Sequence, residues 1–128
     1  MQKTYLLAGA IVAGLAVALG AFGAHGLKKI VSAETLAIFH TAVQYQFYHA
    51  IALILAGILF AKAQNGFVNY AGVLFIAGIV LFSGSLYFIV SQQATGRDVP
   101  TAIALLTPVG GLCFIIGWLL LVIGIAKI

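Results

Sequence analysis

Charge is the scarcest thing in this sequence: eight of 128 residues are Asp, Glu, Lys or Arg, against about a quarter in an ordinary soluble domain. With a mean hydropathy of +1.23, that scarcity excludes a water-soluble globule. Cysteine is nearly absent too. Cys113 stands alone, so no intramolecular disulfide can form, and its apolar surroundings make it a small buried hydrophobe. Only two prolines occur and no Ser/Gly-rich run, which leaves no linker and a single domain over residues 1–128. The net charge of +4 comes from six scattered basic residues. Lys28-Lys29 is their only cluster, so lipid headgroups are the expected partner and nucleic acid is not.

Four long charge-free runs fill the rest: Thr4 to Ala24, Thr35 to Ala61, Gln64 to Val90 and Val99 to Ala126. A helix needs about 20 apolar residues to cross a hydrocarbon core of roughly 30 Å. Each run is long enough, and the expected fold is an all-α antiparallel four-helix transmembrane bundle. The first run imitates a signal peptide, with Lys3 ahead and small residues at its end. It exceeds the usual 7 to 15 apolar residues of such a segment and reads as the first span.

The expected spans are residues 4–24, 45–61, 67–90 and 108–126. Gly26 reads as a helix stop that can adopt a left-handed cap. Ser32 and Glu34 open the next helix, whose more polar start at about 34–44 is expected in the interface or beyond the core. Pro108 would break a hydrogen bond in mid-helix, so the fourth span is expected to begin there, capped by Thr107. Small residues recur every seven positions: Gly9, Ala16 and Gly23; Ala50 and Gly57; Ala71, Gly78 and Ser85; Gly110, Gly117 and Gly124. That period keeps one stripe against a neighbouring helix, where small side chains allow close approach.

Four crossings put both termini on one side. The other side collects most polar residues, and the candidate vestibule there comprises His25, His40, Gln44, Tyr45, His49, Ser83, Ser85, Tyr87 and Thr107. His40, Gln44 and Tyr48 share a helical face at i, i+4 spacing. The vestibule is expected to converge between the helices with His49 at its centre and Ser83 and Tyr87 as its partners. These residues read first as structural, joining the helix ends and anchoring Tyr at the headgroup level, and second as a site whose occupant would be a lipid headgroup or another small amphipathic molecule. Trp118, well inside the fourth span, reads as packing.

Chemistry is poorly represented. His40 and His49 lie nine residues apart, roughly 180° around a helix, so they cannot grip one ion. No HExxH or CxxC occurs, and no metal and no cofactor are expected. Ser83-Gly-Ser85 lacks the frame of a nucleophile elbow, and the glycine tracts match no nucleotide-binding pattern. The protein is therefore expected not to be an enzyme. A non-catalytic role in membrane organisation, lipid contact or partner binding is the first reading, with a homo-oligomer left open. A small-solute or ion transporter or channel is the alternative. Basic residues divide three against three between the two sides, and Lys3 with the terminal amine favours cytoplasmic termini.

Four ordered motifs carry a family resemblance: Gly20-Ala-Phe-Gly-Ala-His-Gly-Leu27, Tyr45-Gln-Phe-Tyr-His49, Leu81-Phe-Ser-Gly-Ser-Leu-Tyr87, and Thr107-Pro-Val-Gly-Gly111 with Gly117-Trp118. The chain resembles, over nearly its whole length, the small membrane proteins grouped as domain of unknown function family 423, which has a eukaryotic branch called transmembrane protein 256. The resemblance implies a four-span bundle in a bacterial cytoplasmic membrane, and it implies no reaction.

Overall fold

In the computed structural model, which describes residues 2–128, every regular element is helical. α1 (Lys3–His25) leads through a 3₁₀ turn (Leu27–Lys29) into α2 (Ala33–Ala63). The third span is α3 (Gly66–Gly78), a π-helical turn (Ile79–Ser83) and α4 (Gly84–Ala94), and α5 (Thr101–Ala126) is the fourth. All four spans are long and apolar enough to cross a membrane. The architecture is the antiparallel all-α bundle expected of the four runs.

The chain leaves α1 at Gly26, but not through a left-handed cap. Gly26 has φ −71°, ψ −52°, and its N–H still donates to the Phe22 carbonyl. The backbone simply tightens into the 3₁₀ turn, which buries Leu27 against Phe39 and Val90. Ser32 caps α2 by accepting the Thr35 N–H at 3.2 Å. From there α2 runs unbroken for 31 residues, about 46 Å at 1.5 Å per residue. Residues 34–44 are its first turns, and Thr35, Phe39 and Ala42 among them are buried within the bundle. Gln64, with φ 43°, ends the helix in a left-handed cap, and Asn65 caps α3.

Pro108 does not start the fourth span. α5 begins two turns earlier, at Thr101 after Pro100, and Pro108 lies inside it. Thr107 therefore is no cap; its hydroxyl shares a 2.6 Å hydrogen bond with Ser85 of α4. Proline in a membrane helix is tolerated where neighbouring helices absorb the break. α5 packs beside the π turn of the third span, where the Gly84 N–H reaches back five residues to the Ile79 carbonyl. Gly110 lies against that turn, and a side-chain carbon on it would land on the backbone of Leu81 and Phe82.

The seven-residue stripes lie at the helix contacts. Gly9, Ala16 and Gly23 are the buried residues of α1 besides Tyr5, with Gly9 against Ala50 and Ile54 and Gly23 against Phe39. Gly57 meets Leu6 and the carbonyl of Gln2, Gly78 meets Phe114, Gly117 meets Phe75, and Gly124 meets Val68. The main core accordingly joins Leu53, Val68, Phe75, Phe114 and Leu121 across close backbones. α1 packs on α2, α2 and α5 pack on the third span, and α1 remains at the edge.

Candidate functional site

The buried stripe of α2 organises the polar interior. Thr35, Phe39, Ala42, Gln46, His49, Leu53 and Ala56 are all buried, and they alternate four and three residues apart. Such spacing holds one face toward neighbouring helices over many turns. Two polar residues, Gln46 and His49, are thereby carried into the middle of the bundle.

His49 lies halfway along α2 and is 5% exposed. Its Nδ1 is 2.8 Å from the Tyr45 carbonyl oxygen, an acceptor, so Nδ1 carries the hydrogen. Nε2 is then free to accept, and the Trp118 indole N–H donates to it at 3.1 Å. Both ring nitrogens of a neutral imidazole are thus engaged. The ring stacks on Phe114 with centroids 3.5 Å apart. Ser83 and Tyr87 are not its partners, contrary to the expectation from their spacing. His49 faces α5 and Phe75, whereas Ser83 donates to the Ala42 carbonyl at 2.8 Å, two turns away along α2.

Gln46 binds three helices together. Its side-chain amide donates to the Val12 carbonyl of α1 at 2.9 Å, and its oxygen accepts the Tyr87 hydroxyl of α4 at 2.6 Å. The candidate vestibule did not include it, although its place in the four-three stripe marks it as inward-facing. Trp118 likewise contributes a donor as well as packing. Ser85 completes the interior, donating to the Phe82 carbonyl at 2.9 Å beside its contact with Thr107. No buried side-chain nitrogen or oxygen lacks a partner among the described residues.

The nine vestibule residues do not converge. His25, His40 and Gln44 are exposed on the outside of the bundle, and Tyr45 is 38% exposed beside Phe82. The i, i+4 series His40, Gln44 and Tyr48 follows an outer face because α2 turns its four-three stripe inward instead. His49, Ser83, Ser85, Tyr87 and Thr107 do face other helices, but in separate hydrogen-bonded groups with no shared chamber. Among the described residues no three His, Cys, Asp or Glu side chains come together as a metal site would require.

Two apolar grooves remain, on opposite sides of α1. The outer one, about 320 Å³, runs between α1 and α2 along Gly20, Val43, Gln44 and Tyr48. The other, about 430 Å³, lies between α1 and α4 with α2 as its floor and within the ~300–1,000 Å³ range of small-molecule sites. Phe39 forms that floor, edge-on to Phe22 at 6.2 Å and to Tyr87 at 5.5 Å. Leu19, Leu27, Val90 and Ser91 complete its walls.

The groove has a structural cause. At the end near the termini, the Tyr5 hydroxyl of α1 donates to the Asn69 carbonyl at 2.8 Å, and its ring covers Gly72, so α1 meets the third span. At the other end α1 leans on α2 through Gly23 and Phe39, and α4 is held to α2 by Ser83 and Tyr87. There Leu27, just past α1, packs with Val90 and Phe39, and the groove lies over that cluster.

Residues 19–111 match the family described as "Protein of unknown function (DUF423)". The chain belongs to this family. It is 44% identical to the UPF0382 membrane protein YwdK of Bacillus subtilis over 127 residues, covering 98% of both chains. A UPF0382 membrane protein of Staphylococcus saprophyticus is also 44% identical, over 99% of this chain and all of its own length. One from Staphylococcus aureus is 42% identical over 98% of each chain. No solved structure matches. The matched region runs from the groove end of α1 to Gly111 and so includes the motifs from Gly20 to Gly111, with Gly117-Trp118 lying beyond it. The protein is a multi-pass membrane protein of a bacterial family whose activity is unassigned, and it contacts the lipid bilayer.

Proposed function

We propose that this protein is a non-catalytic component of the bacterial cytoplasmic membrane whose working surface is the groove between α1 and α4, where a lipid chain inserts. The observation that carries the reading is the apolar groove itself, walled by Leu19 and Phe22 of α1 and by Val90 of α4 over Phe39. The groove opens sideways between two membrane-spanning helices, where acyl chains are the surrounding solvent. The interior supports the same reading. Its polar groups hydrogen-bond one another, which fits a structural role and leaves the transporter alternative without support. We take both termini to face the cytoplasm because Lys3 and the terminal amine stand at the start of the first span, the basic residues otherwise dividing three against three between the two sides.

A photoactivatable fatty-acyl phospholipid in reconstituted membranes tests this reading. Labelling should concentrate on Leu19, Phe22 and Val90 over the outward residues Leu112 and Ile115 of α5. Labelling spread evenly over all lipid-facing residues would overturn it.

A further inference from the structure

We infer that the α1–α4 groove selects an anionic glycerophospholipid, whose phosphate is held by the 3₁₀ turn at the groove mouth. This rests on the lipid-contact reading and adds the class of headgroup to it. The groove runs from Leu19 and Phe22 of α1 to Leu27 in the 3₁₀ turn, and from Tyr87 to Ala94 along α4, about 11 Å of helix. Its inner end is aromatic and apolar, suited to an acyl chain. Its outer end reaches the loop side of the bundle, where Leu27 is the wall residue just past α1.

The next two residues are Lys28 and Lys29, both exposed. Burial of Leu27 pins the turn, so these two lysines are fixed to the mouth of the groove by the residue that lines it. From His25 to Val31 the chain carries these two positive charges and no acid. Across the mouth, exposed Ser91 on α4 adds a hydroxyl to the wall. Two lysines on the turn that bounds an apolar slot, with a hydroxyl in its wall, complement a phosphodiester above an acyl chain. A headgroup whose own amine offsets the phosphate gains much less from the lysines, because each basic residue at an anionic surface contributes separately to the attraction.

Native mass spectrometry of the full chain in detergent, titrated with phosphatidylglycerol or phosphatidylcholine of matched chains, tests the inference. The unaltered protein should hold one phosphatidylglycerol in preference to phosphatidylcholine. Lys28→Gln and Lys29→Gln should each weaken phosphatidylglycerol about fivefold, and together bring it to the level of phosphatidylcholine, whose own binding stays constant. Both sites are exposed, so unfolding temperatures in lipid-free detergent should be unchanged. Ala94→Trp and Leu19→Trp, which plug the two ends of the groove, should remove both lipids. Equal retention of the two lipids by the unaltered protein, or lysine variants that lower both alike, would overturn the headgroup assignment and leave the lipid-contact reading standing. Retention indifferent to both tryptophans would overturn the two together.

Discussion

The Trp118 indole N–H donates to Nε2 of His49 at 3.1 Å, joining the middle of α5 to the middle of α2. The His49–Phe114 stack lies beside it, while the rest of α5 packs chiefly on the third span. The partly exposed indole supplies a partner for the buried imidazole at this contact. In a bilayer a histidine nitrogen left without a partner finds no water to replace it.

Trp118→Phe tests the value of that bond, because it keeps most of the ring and removes the donor. It should lower stability by about 1–2 kcal/mol, the cost of an acceptor left unpaired in a dry interior. His49→Phe should cost less in combination with Trp118→Phe than the sum of the two alone. Thermal unfolding in detergent of both single variants and the double variant measures the coupling.

Gln46→Leu should loosen α1. The substitution removes the bond to the Val12 carbonyl and leaves the Tyr87 hydroxyl without its acceptor. A loss of about 1–3 kcal/mol is expected, and Tyr87→Phe on that background should recover part of it by deleting the stranded hydroxyl. Hydrogen exchange in α1 should rise around Val12 while α5 is unchanged.

Gly110→Ala and Gly14→Ala are chemically the same change with opposite expected outcomes. At Gly110 the new methyl meets the backbone of Leu81 and Phe82, which cannot rotate away. Destabilisation of at least ~2 kcal/mol or failure to fold should follow, in line with the cost of overpacking. At Gly14 nothing lies within 4 Å, and alanine should stabilise the helix by up to about 1 kcal/mol. Unfolding temperatures of the pair, measured side by side, decide whether close helix approach or mere composition explains the glycine at position 110.

Single-cysteine labelling on a Cys113→Ser background tests the orientation. Cysteines placed at Gln2 and Gln64 should be shielded from a membrane-impermeant maleimide in intact cells, and one at Thr95 should react. Reaction at the first two and protection of the third would reverse the proposed orientation.

Part of the site was readable from residue order. The four-three alternation from Thr35 to Ala56 identifies Gln46 and His49 as inward-facing, whereas following the i, i+4 series from His40 leads to the outer face. Both spacings fit a helix equally well. Which one turns inward depends on the neighbours, and Phe39, Ala42 and Leu53 weigh toward the first because they bury apolar surface along the same line. His49 itself stood out, but its partner did not. Trp118 is 69 residues away, and no local pattern relates the two.

Residue order alone determined the solvent, the number of crossings and the small-residue seams, since these follow from hydropathy, helix rise and period within each run. It could not decide how Pro108 is accommodated. Proline ends some helices and sits inside others; here α5 continues through it, and Gly110, two residues on, lies against the π turn at Ile79–Ser83. Nor could it reveal the groove. Its walls come from α1 and α4, far apart in the chain, over Phe39 of α2, and where those helices stand is set by distant contacts such as Tyr5 with Asn69 and Tyr87 with Gln46.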